Sequence, residues 1–439
     1  MSVKFQSPPE WGIDPVPKDK RSLGFKDFAV LWGDLGIGLL VILAGTFLAP
    51  GLGLGPAVSV VLIGTALGCL LLGLVGKIGS DTGRPTMALL RPLLGLRGSY
   101  APTALNVLQL LGWAVFEFII MGVATNAVCQ RLFGFSCYPL WTAVSAVIIV
   151  LMGLAGPVGF VKQWLEKFAV WVALATGVWL SWHLLSAYDF RTLLARPGDG
   201  SLPYWQGVDL VIALPISWLP LVADYNRFAR RGKGAFWGTA LGFFVTGVWF
   251  LVMGAYLMLG ASVKQEPKDF ATAIAAIAGW GALLILLADE THNAWADLYS
   301  AAVSTQNIFP RARQRYLIVG FGAFCLAAAL ALDITKYQGF LYLLGSFFIP
   351  LFGVLCADYF ALGRRSEGGR PVLAMTAWLL GVAAYHVADP SIAASVFPGW
   401  ESLVPPALTM VGGSIPSFVL AFVFHIVLNL VSRSKRSQA

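Results

Sequence analysis

Charge is what this sequence has least of. Only 12% of its 439 residues are Asp, Glu, Lys or Arg, against roughly 25% in a soluble domain. That scarcity excludes a single apolar core wrapped in a polar surface. Cysteine is also sparse. Cys69, Cys129, Cys137, Cys325 and Cys356 show no paired spacing. All but Cys137 lie in apolar runs, which argues against a disulfide framework or a zinc site. There is no nucleophile elbow and no Walker-type loop. The run Gly51-Leu52-Gly53-Leu54-Gly55 has no lysine and no strand-to-helix context, so it is no phosphate cradle. Enzyme chemistry with an activated nucleophile or a metal-ligand set finds no support.

What is present is apolar sequence. Hydrophobic residues make up 58% of the chain, and mean hydropathy is +0.76. The surface itself must then be apolar, with lipid around it. A spanning helix needs about 20 apolar residues. The apolar runs predict helices at 28–49, 55–76, 101–129, 138–156, 163–186, 206–227, 235–260, 274–305, 316–332, 339–360, 371–388 and 403–431. Residues 1–27 form a polar segment with no cleavable signal pattern, and 432–439 a short basic tail.

The basic residues test this division. With the N-terminus in the cytoplasm, 24 of the 30 Lys and Arg fall on the cytoplasmic side. The outer side holds Arg131, Arg191, Arg196, Lys264, Lys268 and Lys336. The positive-inside rule therefore predicts twelve spans in an inner membrane, with both ends cytoplasmic. The net charge of +8 is a topology signal and not a nucleic-acid patch. Lipid is the expected surrounding, and no obligate protein partner is indicated.

Two apolar runs are broken. One is Trp32-Gly33-Asp34-Leu35-Gly36-Ile37-Gly38, and the other Leu214-Pro215-Ile216-Ser217-Trp218-Leu219-Pro220. Backbone freed by Gly or Pro survives at membrane depth only where it is buried in protein or lines a cavity. The breaks fall in helices one and six, about 180 residues apart, as two five-helix halves at 28–186 and 206–360 would place them. An odd number of helices per half inverts the second half. Helices eleven and twelve, 371–431, follow. Inverted repeats with broken first helices are a transporter plan, with the site between the breaks.

Ionisable groups at membrane depth are costly and read as functional by default. Glu117 follows Trp113 by four residues, on one face of helix three. Helix eight carries Asp289-Glu290-Thr291-His292-Asn293 and then Asp297, six polar residues in ten. An imidazole there is suited to a proton. Asp224 is expected to pair with Arg227, and Asp209 and Asp358 to lie near helix ends. His183, His386 and His425 carry no expected role.

With these residues in view, the chain resembles the nucleobase-cation-symport-1 family. The resemblance rests on Pro9-Glu10-Trp11-Gly12-Ile13, the 215–220 stretch, Asp224-Tyr225-Asn226-Arg227-Phe228 and the Trp113–Glu117 pair, and it spans nearly the whole chain. Within the family it most resembles the hydroxymethylpyrimidine-transporting branch. The resemblance implies an all-α fold of the amino-acid/polyamine/organocation (LeuT-like) type, five plus five helices with two more. It implies a planar substrate sandwiched by Trp113 and Trp218, with Glu117, Ser217 and Asp297 around it. A coupling sodium ion would sit on the carbonyls of Gly36 to Leu39, on Ala288 and Thr291, and on the position held by His292. No organic cofactor is implied.

Two departures shape the expectation. His292 stands where a hydroxyl is expected, and imidazole is a poor ligand for a hard cation. Proton coupling thus rivals sodium. Glu117 and Asp297 stand where amides read a ring of alternating N–H and C=O. A carboxylate only accepts, which suits the parallel donors of an aminopyrimidine edge. The expected substrate is hydroxymethylpyrimidine, with cytosine or another nucleobase as the alternative.

Overall fold

The computed structural model describes residues 11–155, 167–263, 267–332, 337–363, 370–390, 399–405 and 412–437. Pro9 and Glu10 of the opening motif lie outside them, as do the basic residues Lys4, Lys162, Lys264, Lys336, Arg364 and Arg365.

The regular elements are helices, because lipid forces each span to satisfy its own backbone. α1 comes in two halves, Phe25–Asp34 (α1a) and Leu39–Thr46 (α1b), bent by 60° across the break. There follow α2 (Leu54–Thr82), α3 (Tyr100–Phe133), α4 (Tyr138–Ala155) and α5 (Val170–Ala187). α6 is also in two pieces, Tyr204–Ser217 (α6a) and Val222–Asn226 (α6b). Then come α7 (Gly232–Ala261), α8 (Trp280–Ile308), α9 (Gln314–Ala331), α10 (Tyr337–Cys356), α11 (Pro371–Ala388) and α12 (Ser414–Ser437). Among the described residues nine helices are long and apolar enough to cross a membrane, and the bent α1 makes ten. α4, with a shorter apolar run, and α8, whose polar stretch interrupts its own, complete the twelve.

Two expected boundaries move. Gly279, at φ 88°, ends a separate helix, Pro267–Ala278, so α8 starts at Trp280 and not at 274. A short turn at Trp400–Leu403 precedes Pro405, and α12 proper starts at Ser414. Proline lacks the N–H that a continuous helix would need there.

Packing shows the two repeats. α1 lies along α7, and α6 lies along α2. α3 packs on α4 as α8 packs on α9, and α4 meets α8 as α9 meets α3. Exchanging one for six, two for seven, three for eight and four for nine maps each contact onto another. α10 joins α6a to α12, which pairs with α11. Where α1b crosses α7, Gly45 abuts the Leu251 carbonyl and Gly254 the Ile42 carbonyl. No side chain fits at either position, so the broken helix is held at backbone contact.

Candidate functional site

The α1 break has two electrical poles. α1a ends at Asp34, where helix carbonyls are left over and the dipole is negative. α1b starts after Gly38, where N–H groups are left over and the dipole is positive. α8 supplies a side chain to each pole. At the negative one, His292 Nδ1 lies 2.8 Å from Asp34 Oδ2 and 3.5 Å from Asp289 Oδ1. At the positive one, Leu40 N–H donates to Glu290 Oε1 at 3.0 Å. Asn293 Nδ2 donates to the Ile37 carbonyl at 3.3 Å, so the unwound turn is tied to α8 as well.

The α6 break is tied down by α3. The Ser217 carbonyl accepts from Gln109 Nε2 at 2.9 Å, and the Pro220 carbonyl from Asn106 Nδ2 at 3.2 Å. Asn106 also reaches Ser304 of α8 at 2.8 Å. Carbonyls freed at the break thus find donors inside the protein, as membrane depth requires.

Between the breaks lies a narrow cavity. Trp113, Glu117, Ser217, Trp218 and Asp297 all line it, so the five expected substrate residues come together. Glu290 and Asn293 line it too. Trp218 is braced edge-to-face by Trp32, with ring centres 6.0 Å apart, and Trp113 by Phe340 at 5.4 Å. Trp32 is itself fixed by a hydrogen bond from Nε1 to Asn226 Oδ1. The Ser217 hydroxyl donates to the Leu214 carbonyl at 2.7 Å, leaving its oxygen as an acceptor. Glu117 and Glu290 are close neighbours. Two acids side by side in a buried wall cannot both ionise cheaply, and a ligand that brings N–H donors or positive charge relieves them.

The expected cation positions are arranged differently from one another. Gly36 and Leu39 bracket the unwound turn. The Thr291 hydroxyl donates to the Ala288 carbonyl at 2.6 Å, so these two groups bond to each other. His292 belongs to a buried cluster with Asp34 and Asp289, whose ligand atoms lie within 4.8 Å. Neither Asp289 oxygen, nor Asp34 Oδ1, accepts a hydrogen bond among the described residues. One imidazole and two carboxylates form a donor set for a proton or a divalent transition ion.

Other acids are structural. Asp209 accepts the backbone N–H groups of Gly413 and Ser414 and so caps α12. Asp358 meets His425 at 3.0 Å, tying α12 to the end of α10. The expected Asp224–Arg227 side-chain pair does not form. Asp224 Oδ1 accepts Thr86 N–H at 2.8 Å. The fully buried Arg227 turns to backbone oxygens of Asp224 and Gly12 and to the Tyr299 hydroxyl. The Gly12 contact, at 2.6 Å, joins two of the sequence motifs.

Asn106 and Gln109 had no expected role, and Glu290 and Asn293 were expected only as members of the polar run of helix eight. A signal for the first two existed. Positions 106, 109, 113 and 117 form one polar stripe at helical spacing.

Residues 15–368 match the family described as permease for cytosine/purines, uracil, thiamine and allantoin. The hydantoin permease of Microbacterium maritypicum is 23% identical over 379 residues, which cover 80% of this chain and 76% of the relative. The cytosine permease of Escherichia coli K12 is 25% identical over 412 residues, 88% of each chain. Among solved structures, Mhp1, a nucleobase-cation-symport-1 family transporter in a closed conformation with bromovinylhydantoin bound, superposes with a TM-score of 0.77. The two are 22% identical, and the match covers 97% of this chain and 96% of that one. At that identity the likeness is one of fold, and it is the fold that the broken helices and exchanged contacts describe. With the family match over most of its length, the chain belongs to the cytosine/purine, uracil, thiamine and allantoin permeases of the nucleobase-cation-symport-1 family, and it is a membrane transporter and not an enzyme.

Proposed function

We propose that this transporter imports a nucleobase with an amino-substituted edge, cytosine or a close relative, in symport with protons. The observation that carries the reading is the meeting of Trp113 and Trp218 with Glu117 and Asp297 around one cavity. The indoles supply stacking faces, and the acids supply acceptors for a donor-rich edge. The relatives carry the names of hydantoin and cytosine permeases. Hydroxymethylpyrimidine, the expectation from the branch resemblance, has no counterpart in those names. It becomes a competitor to be tested against cytosine.

Proton coupling is supported by the cluster at the negative pole of α1. His292 is held between Asp34 and Asp289, while Thr291 and Ala288 bond to each other. The distribution of Lys and Arg supports an inner-membrane orientation with both chain ends in the cytoplasm.

The test is uptake of labelled cytosine, hydroxymethylpyrimidine and uracil into proteoliposomes, under a proton gradient or a sodium gradient imposed separately. Cytosine accumulation driven by protons alone is the expected result. Accumulation driven by sodium alone refutes the coupling assignment. Preference for uracil refutes the edge assignment.

A further inference from the structure

In transporters built on broken helices, the N-terminus of a half-helix points at an anionic group of the substrate. Its first N–H groups are unpaired, and the dipole there is positive. In this chain that place is filled from within. Glu290 Oε1 accepts Leu40 N–H at 3.0 Å, and Leu39 N–H also reaches the carboxylate. Asn293 Nδ2 lies 3.3 Å from Oε2. The Glu290 side chain is completely buried. Room for it depends on Gly38, where a Cβ would lie 2.6 Å from Oε2.

The atoms left over around this carboxylate are acceptors. Glu117 Oε2 and Asn293 Oδ1 receive no hydrogen bond among the described residues. Their side chains are 4% and 5% exposed, and both line the substrate cavity. A ring bearing its own carboxylate meets an occupied positive pole and a row of acceptors. A neutral or cationic ring with N–H donors satisfies them.

We infer that Glu290 is a built-in stand-in for a substrate anion, a specificity-determining residue that fills the anion pole of α1b and bars rings carrying a carboxylate. The choice of a nucleobase as ligand rests on the proposed function; the exclusion of anions rests on the occupied α1b pole and the acceptors beside it.

The test uses the purified full chain in detergent, with tryptophan fluorescence and thermal melting as readouts. The probes are cytosine, orotate (a pyrimidine carboxylate) and formate. Wild type is expected to bind cytosine and to ignore orotate and formate. In Glu290→Ala, cytosine affinity should fall at least about tenfold, equivalent to about 1.4 kcal/mol. Formate should restore it, and orotate should now bind. A folded Glu290→Ala that binds cytosine like wild type and still rejects orotate and formate overturns the inference. Should that variant fail to fold, Glu290→Gln decides: a tenfold loss of cytosine affinity supports the inference and unchanged affinity overturns it. Should wild type bind no nucleobase, the proposed function falls but the inference stays testable. Formate must then raise the melting temperature of Glu290→Ala and not that of wild type, and failure to do so overturns it.

Discussion

His292 Nδ1 lies 2.8 Å from Asp34 Oδ2, joining α8 to the last residue of α1a. An acid at a helix C-terminus opposes the dipole unless a cation accompanies it. Asp289, 3.5 Å from the same nitrogen, adds a second acid. Replacing His292 by Gln leaves two buried carboxylates facing each other. Removing one partner of a buried ion pair costs roughly 3–5 kcal/mol. His292→Gln should therefore melt at lower temperature and fail to accumulate substrate under a proton gradient. It should still exchange labelled for unlabelled substrate across proteoliposomes with no gradient. Undiminished proton-driven accumulation would remove His292 from the coupling machinery.

The same three side chains suit a divalent transition ion. Imidazole and carboxylate donors within 4.8 Å of one another match the ligand types of zinc and manganese sites. Zinc held there would bridge α1a to α8 and stop the break from moving. Zinc is expected to inhibit uptake, and Asp289→Asn to relieve that inhibition in exchange assays. Equal inhibition of wild type and variant would place the zinc effect elsewhere.

Glu117→Gln should invert the preference between rings. The amide adds a donor where an ionised carboxylate only accepts. A mismatched buried hydrogen-bonding group costs about 1–3 kcal/mol, so cytosine affinity should drop about tenfold to a hundredfold while uracil or hydantoin improves. Competition against labelled cytosine measures both arms. Parallel weakening of every ring would mean that Glu117 shapes the cavity without reading the substrate edge.

The spans and both breaks were legible in the sequence because lipid imposes its rules locally. Apolar runs must be long, basic residues must gather on one side, and Gly or Pro runs mark unwound turns. Trp113 and Glu117 were legible from helical spacing. Which pole of α1 each α8 acid serves was not. Asp289 and Glu290 are chain neighbours, yet about 100° of helix rotation separates them. Asp289 joins the cluster at the negative pole of α1, and Glu290 caps the positive one. Only the position of the bent α1 against α8 reveals that split. Arg227 was misjudged for a similar reason. Its spacing from Asp224 suggested a local side-chain pair, but its guanidinium divides among the Asp224 carbonyl, the Tyr299 hydroxyl and the Gly12 carbonyl more than 200 residues away in the chain.

Gln109 offers a test of how the α6 break holds Trp218. Its Nε2 donates to the Ser217 carbonyl at 2.9 Å and to Asn106 Oδ1 at 2.8 Å. Gln109→Leu keeps much of the volume but leaves that carbonyl without its donor in a buried place. The expected cost is about 1–3 kcal/mol. Because Trp218 directly follows Ser217, loosening the turn should also displace its indole in the cavity wall. Substrate affinity should then fall for cytosine and uracil alike, with their ratio unchanged, in contrast to Glu117→Gln. Thermal melting and competition binding on the same preparation separate the two effects. A variant that melts early but binds normally would show that the clamp stabilises the break without positioning the tryptophan.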